Sequence, residues 1–186
     1  MGRCWRCAKD SGKAREPTKT VNLVFYRAEL NYDIESYAYV EGDVMIVARE
    51  EHERHQCIDV MQDGNENLVT RILTLASDEV VEALYPYSKD PVVEGEEFTD
   101  ELEAPERYEL KLTVPETMSR TSVQYLRSLI HDYLVSRVLW EWMKLTNIAN
   151  PHSKANWEQM VETLKTNMKS AVRWRTKPLR LGQHPF

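Results

Sequence analysis

The densest group of potential metal ligands lies in residues 51–57, EHERHQC, which contain His52, His55 and Cys57. A zinc-protease helix needs two histidines four positions apart, so that both imidazoles face one metal ion with a glutamate between them. Here the spacing is three, and no third ligand is marked downstream. A di-iron bundle needs Glu-x-x-His, but Arg49 stands three residues before His52 and His52 itself three before His55. The segment therefore indicates a polar helix surface, with a metal-dependent enzyme as an alternative.

Cys4 and Cys7 form a C-x-x-C pair near the start of the chain. A structural zinc site needs four ligands, and no second pair follows. A thioredoxin-type pair ends a strand and opens a helix, and this segment predicts neither element. Together with Cys57 the chain has three cysteines, and this odd number argues against a disulfide framework. We expect no metal or redox role for the pair.

Other local patterns do not complete a reactive site. The segment Asp59–Thr70 has the Asp-Gly of a calcium loop, but Met61 and Thr70 stand where that loop requires Asp or Asn and then Glu. His131 and Asp132 are neighbours, and adjacent helical residues point about 100° apart, so they form no dyad by themselves. No glycine-rich phosphate loop and no nucleophile motif is present. The sequence predicts no catalytic residue, no cofactor and no metal site.

Charge is distributed unevenly along the 186 residues, whose formal net charge is −6. Residues 1–19 carry six basic and two acidic side chains, and residues 165–186 carry six basic and no acidic ones. Residues 20–164 therefore have a net charge of −16. An acidic body with two basic ends favours association with other copies of itself. No apolar run is long enough for a transmembrane helix.

The sequence pattern predicts a mainly helical chain. Apolar spacing predicts strands at 20–27 and 108–114, which we expect to pair as a small ribbon. It also predicts five helices, over 33–45, 50–61, 68–84, about 119–145 with a cap at Ser119 or Thr121, and 151–172. Asp33 is the expected cap of the first helix. The expected apolar faces include Tyr37 and Met45 in the first helix, Leu68 in the third and Met160 in the last. Residues 62–65, QDGN, indicate a turn.

We therefore predict a mainly α fold: an antiparallel helical bundle with a long C-terminal hairpin and the two-stranded ribbon. Residues 1–19 are expected to form a disordered basic leader, and residues 20–172 one domain. Within that domain, residues 86–106 hold three prolines and eight acidic residues and predict a long exposed loop. Residues 173–186 are expected to form an extended basic tail.

The tail carries the predicted partner-binding residues. Trp174 lies between Arg173 and Arg175, and such a triplet suits stacking on a base, contact with a phosphate, or anchoring in a protein pocket. The acidic body favours a protein neighbour over nucleic acid. The residues assigned to partner binding are Arg173, Trp174, Arg175, Lys177, Arg180 and Phe186.

In the C-terminal part of the chain, a proline precedes a long predicted helix in the segment VPETMSRTSVQYLRSLIHDYLVSRVLWEWMKLTN. A second predicted helix, PHSKANWEQMVETLKTNMKSAV, and a basic tail follow it. In this order the block resembles the head–tail connector (adaptor) proteins of tailed bacteriophages. The stretches YDIESYAYVEGDVM, LYPY, LIHDYLVSRVLWEW and HPF are similar to proteins of prophage regions of gut Bacteroidales. The acidic loop departs from this pattern, since connectors usually have a shorter and less acidic segment there, and it suggests a tail- or portal-facing insertion.

The resemblance implies a non-enzymatic virion protein that forms a ring beneath the portal, commonly of about twelve copies. Its implied partners are other copies of itself, the portal protein, and tail or stopper proteins, with DNA passing through the bore without specific contact. It implies a location at the head–tail junction, and in the host cytoplasm during assembly, without a membrane. The alternative is a regulatory protein that binds nucleic acid through its basic ends, with an affinity that falls steeply with salt.

Overall fold

A computed structural model of the chain describes residues 17–44, 55, 57–102, 104–146 and 151–175. For residues 44, 151–153 and 173–175 only the backbone is described. The described chain is mainly helical and contains a small two-stranded antiparallel sheet. In chain order the elements are β1 (Thr18–Tyr26), α1 (Arg27–Val44), a 3-10 turn (Asp59–Met61), α2 (Glu66–Ala83), β2 (Arg107–Pro115), α3 (Arg120–Leu145) and α4 (Pro151–Arg175).

The predicted ribbon is confirmed. β1 pairs antiparallel with β2, from Thr18 opposite Pro115 to Tyr26 opposite Arg107. Side chains of β2 alternate strictly, because successive strand residues point to opposite faces. The buried positions on β2 are Tyr108, Leu110, Leu112 and Val114. One face of the ribbon thus covers the helices, and the other is exposed.

Helix α1 begins six residues earlier than the predicted cap at Asp33, directly after β1. The amide of Arg27 donates a hydrogen bond to the carbonyl of Glu106 at 2.9 Å, which satisfies one of the free N–H groups of the first turn. The core face of α1 consists of Leu30, Ile34 and Ala38, four residues apart. Tyr37, predicted on that face, is 50% exposed, and Met45 lies outside the described residues.

Helix α2 confirms the predicted spacing and ends before the cis peptide bond between Tyr85 and Pro86. Its buried apolar residues are Val69, Ile72, Leu73, Ala76 and Val80. Leu68, predicted among them, is 38% exposed. The turn predicted at 62–65 is present, and the amide of Asn65 donates to the carbonyl of Gln62 at 2.7 Å.

Helix α3 is the central element, since it packs against α1, α2 and α4. Ser119 caps it as predicted: its hydroxyl oxygen accepts a hydrogen bond from the amide of Ser122 at 3.2 Å. Seven consecutive residues, Tyr133–Leu139, are buried. A helix buried on every side lies inside the core. The single apolar face predicted for α3 is thus only part of its buried surface.

Helix α4 packs along α3 through Trp157, Val161, Leu164, Met168, Ala171 and Val172. Met160, predicted on this face, is 40% exposed. The helix extends to Arg175, so residues 173–175 continue α4 instead of beginning an extended tail. Arginine and tryptophan are both compatible with a helix interior, so this last turn has no local reason to end earlier. Among the described residues, no helix combines the length and the apolar character needed to cross a bilayer.

Candidate partner-binding surfaces

The predicted partner-binding residues lie at or beyond the end of α4. Arg173, Trp174 and Arg175 form its last turn, and only their backbone is described. Lys177, Arg180 and Phe186 lie outside the described residues. The structure therefore places the origin of the basic segment but not its side chains. We call residues 176–186 the C-terminal tail.

The origin of the tail lies beside an open cleft of about 440 Å³, here called the exit cleft. Lys169 and Val172 of α4 line it on one side. The other side is the end of α2 and the segment after it, Glu82–Tyr87. Tyr85 is 59% exposed there. The basic segment thus leaves the described chain one helical turn beyond the point where α4 faces Tyr85.

The acidic loop is anchored at both ends. We call residues 88–106 the acidic arm; it has eight acidic residues and one lysine. At its start the hydroxyl of Ser88 donates to the carbonyl of Val81 at 2.5 Å, and the amide of Thr113 donates to the carbonyl of Tyr87 at 2.7 Å. At its end the carbonyl of Glu106 accepts from Arg27, as described above. The arm is therefore held to α2, β2 and α1.

The arm also contains a defined turn. The amide of Glu96 donates to the carbonyl of Val93 at 3.1 Å, and the amide of Val93 donates to Oε2 of Glu96 at 3.1 Å. Gly95 has φ of 87°, a conformation that side chains with a Cβ rarely adopt. Three large apolar side chains are exposed on this arm, with Val92, Val93 and Phe98 at 72%, 69% and 77%. The arm thus exposes large apolar side chains on a strongly acidic segment.

A second cleft, of about 640 Å³, lies between the arm, α2 and the start of β2, and we call it the arm cleft. Leu75 of α2, which is 51% exposed, and Phe98 provide its apolar surface. Its acidic residues are Asp78, Glu97, Asp100, Glu101 and Glu109, against Arg71 and Arg107. Burial raises the pKa of Asp78 above its ordinary value. The cleft thus combines excess negative charge with exposed apolar surface.

The largest charged network in the described core joins α2 to α3. Arg137 is buried and donates through Nε and Nη2 to the carboxylate of Glu79 at 3.2 and 3.3 Å, and through Nη1 to Glu141 at 2.9 Å. The hydroxyl of Tyr133 donates to the same Glu79 carboxylate at 2.5 Å. The guanidinium of Arg137 also lies 4.7 Å from the ring centre of Trp140. Every charge in the network is paired, as burial requires.

The protonation state of Glu79 follows from this network. Burial opposes its ionisation, but hydrogen bonds from Tyr133 and Arg137 and the positive charges of Arg137 and Lys165 outweigh burial and lower the pKa of Glu79. Burial and the neighbouring Glu79 raise the pKa of Tyr133 above its usual range. A carboxylate held ionised against a phenol held protonated does not transfer a proton readily. The arrangement therefore resembles a structural clamp more than an acid–base pair.

His131 pairs with a residue that its sequence neighbourhood does not suggest. Its Nε2 lies 2.7 Å from Oδ2 of Asp33 on α1, so the pair connects α1 to α3. Burial raises the pKa of Asp132, partly offset by His131 and reinforced by the nearby Asp33. His131 and Asp132 line a cavity of about 390 Å³ that also includes Arg127 and Ser128. The hydroxyl of Ser128 donates to the carbonyl of Gln124, so it is engaged with the helix backbone.

The ligand-like residues of segment 51–57 divide between surface and core. His52 lies outside the described residues, and His55 is exposed. Cys57 is fully buried, with Sγ 3.5 Å from the carbonyl of Ala38 and 3.9 Å from Sδ of Met143. Burial, and to a lesser degree Glu41, raises the pKa of its thiol to about 12. Because metal ligation and nucleophilic attack need the thiolate, Cys57 acts as a core residue.

The described side chains include no group of three or more His, Cys, Asp and Glu placed to hold a metal ion. No protein-family model, curated protein or solved structure matches the chain. The geometry nevertheless reveals residues that the sequence interpretation missed, namely Asp33, Leu75, Glu79, Phe98 and Arg137. One signal was available for the network: Tyr133, Arg137 and Glu141 are spaced by four on α3 and therefore share a helix face.

Proposed function

We propose that this chain is a non-enzymatic assembly protein that forms a closed ring through contacts between its basic ends and the acidic body of neighbouring copies. In this proposal α3 and α4 form an antiparallel hairpin within a helical bundle, and the hairpin directs the basic segment outwards. The role is that of a head–tail connector in a phage particle, with the portal and the tail or stopper proteins as further partners. DNA passes through the bore without specific contact.

The observation that carries the proposal is the acidic arm. It has a net charge of −7, it is anchored at both ends, and it exposes Val92, Val93 and Phe98. The chain also has basic segments at both ends, with apolar residues in the C-terminal one. A ring needs two different surfaces that fit each other on successive copies. The arm and a basic end supply such a pair.

The packing of the core suits this role. The Glu79–Arg137 salt bridge and the hydrogen bond between Asp33 and His131 connect α3 to two neighbouring helices. Charged contacts in a core favour one relative placement of helices over others. A fixed placement matters for a subunit that must meet its neighbours at a constant angle around a ring.

A charge swap tests the proposal. Replacing Glu94, Glu96 and Glu97 by lysine is expected to abolish assembly, and so is replacing Lys177 and Arg180 by glutamate. Because each change leaves like charges opposite each other, mixing the two variants is expected to restore assembly between unlike copies. Sedimentation velocity at low salt measures the species. A matched control replaces exposed Glu29 and Glu35 on α1 by lysine and is expected to assemble normally.

A DNA-binding measurement on the same variants separates this role from nucleic-acid binding. A basic segment that binds phosphates gives an affinity for single- or double-stranded DNA that falls steeply with salt concentration. We expect no such binding from the full chain, because the acidic body opposes a polyanion. Tight, salt-dependent DNA binding that is lost on reversing Lys177 and Arg180, with assembly unaffected, would replace our proposal by the nucleic-acid role.

A further inference from the structure

The exit cleft and the arm cleft lie along one face of α2. Glu82 lines the exit cleft, whereas Leu75 and Asp78 line the arm cleft. These three residues are spaced by three and four, so they share one face of the helix. The face is open, since all three are exposed. This exposed face of α2 therefore runs between the exit cleft and the arm cleft.

The tail is long enough to follow this surface. From Leu84 to Leu75 the helix axis covers about 14 Å at 1.5 Å per residue. The 11 residues after Arg175 span up to ~36 Å when extended. Together with the ~5 Å between Val172 and Arg175 along α4, the path to Leu75 needs about six extended residues at ~3.3 Å each. Residues from about Leu181 onwards can therefore reach the arm cleft.

The chemistry of the tail matches the surface. Residues 176–186 read TKPLRLGQHPF, with Lys177 and Arg180 interspersed with leucines and a terminal phenylalanine. They contain no acidic residue. The exposed face of α2 carries two acidic residues, Glu82 and Asp78, that the basic residues of the tail can contact. In the arm cleft, further acidic residues and apolar side chains match the tail, namely Glu97, Asp100, Leu75 and Phe98. A cation close to Asp78 also removes part of the cost of ionising that partly buried carboxyl.

We propose that in the unassembled chain residues 176–186 dock into the arm cleft of their own molecule. The occupant is the chain's own tail because it begins at the adjoining exit cleft. Over such a short tether the local concentration of the tail is in the millimolar range, well above that of a second copy in dilute solution. The biological role of this contact rests on the proposed function. In that role, the tail covers the arm of its own molecule until the tail of a neighbouring copy replaces it. The contact then prevents premature assembly.

Disulfide trapping in the full chain tests the contact. The background carries Cys4→Ser and Cys7→Ser, and the buried Cys57 stays in place. Adding Leu75→Cys and Leu181→Cys puts one thiol in the cleft and one on the tail, and diamide oxidises them. We expect a disulfide within one chain, formed at a rate independent of protein concentration. The matched control moves the first thiol to Ser36→Cys on α1, and we expect at least about tenfold slower trapping there from its lower effective concentration.

The outcomes are distinct. Reversing Lys177 and Arg180 to glutamate is expected to slow trapping to the control rate, while the thermal unfolding midpoint stays unchanged. Disulfides that join two chains and increase with concentration would show that a second copy is the occupant and would overturn the inference. Trapping no faster than in the control would overturn it as well. Disulfide formation is measured on the monomer fraction. The ring proposal can therefore be contradicted by sedimentation velocity while this contact is supported by trapping, and the contact can be contradicted while the ring is supported.

Discussion

Arg137 of α3 donates two hydrogen bonds to the carboxylate of Glu79 on α2, at 3.2 Å from Nε and 3.3 Å from Nη2. The same carboxylate accepts from Tyr133, one helical turn before Arg137. The pair therefore ties two neighbouring helices at a point where both side chains are mostly buried. Among the salt bridges between elements in the described part of the chain, it is the most buried.

Removing one partner of this pair is expected to destabilise the protein. Arg137→Met leaves Glu79 partly buried without its counter-charge, and we expect a loss of about 2–4 kcal/mol in the free energy of unfolding. Urea unfolding followed by far-UV circular dichroism measures it. The double variant Arg137→Met/Glu79→Leu is expected to recover much of the loss, because no unpaired charge remains. A single variant as stable as the original would show that the pair contributes nothing.

Glu79 also gives stability a predictable dependence on pH. Its pKa in the folded state is lowered from its ordinary value of 4.5. Its stabilising contribution is therefore complete above that ordinary value and is lost as pH falls through the lower folded value. Asp78 and Asp132, whose pKa values are raised, contribute with the opposite sign. The difference in the free energy of unfolding between the original chain and Glu79→Gln isolates the contribution of Glu79. We expect this difference to shrink as pH falls below about 4.

The thiol of Cys57 is expected to be unreactive in the folded protein. Burial raises its pKa to about 12 and it is fully covered. In a Cys4→Ser/Cys7→Ser background, a thiol reagent at pH 8 should label Cys57 only as fast as the chain unfolds. Labelling in native buffer and in urea compares the two rates. Rapid modification of the native chain, with its circular dichroism unchanged, would contradict the burial of this residue.

Substitution of Phe98 is expected to weaken association between copies without changing the stability of the fold. Its side chain is 77% exposed on the acidic arm, so Phe98→Ser is expected to change the free energy of unfolding by less than about 0.5 kcal/mol. If the arm receives an apolar and basic segment, the same change weakens association by about tenfold or more, because an aromatic anchor is lost. Thr99→Ala is a matched control on the next residue. Equal association by both variants would remove the arm from the interface.

Local patterns in the sequence predicted most elements, but α1 begins six residues before its predicted start, and the helix predicted at 50–61 ends in the 3-10 turn Asp59–Met61. The two strands of the ribbon, the cap at Ser119 and the spacing of α2 follow from rules that act over a few residues. Misplaced residues such as Tyr37 and Met160 lie at the edges of apolar stripes, where the width of the neighbouring helix decides burial.

The contacts between helices could not be predicted in the same way. Glu79 and Arg137 look like surface charges in one dimension, as do Asp33 and His131, since charged residues are mostly exposed. Only packing shows that each finds a partner 58 or 98 residues away. Five of the seven residues 133–139 are apolar, and this was a readable sign that α3 lies inside the core.

The mass of the full chain in solution, as a function of protein concentration at low salt, tests the ring proposal most directly. Sedimentation velocity is expected to show the 21.8 kDa monomer converting to one large species, without a ladder of intermediate sizes, because a closed ring stops growing when it closes. Images of that species should show a ring. A chain that stays at 21.8 kDa at every concentration and salt, with or without the charge-swapped partner, would contradict the account.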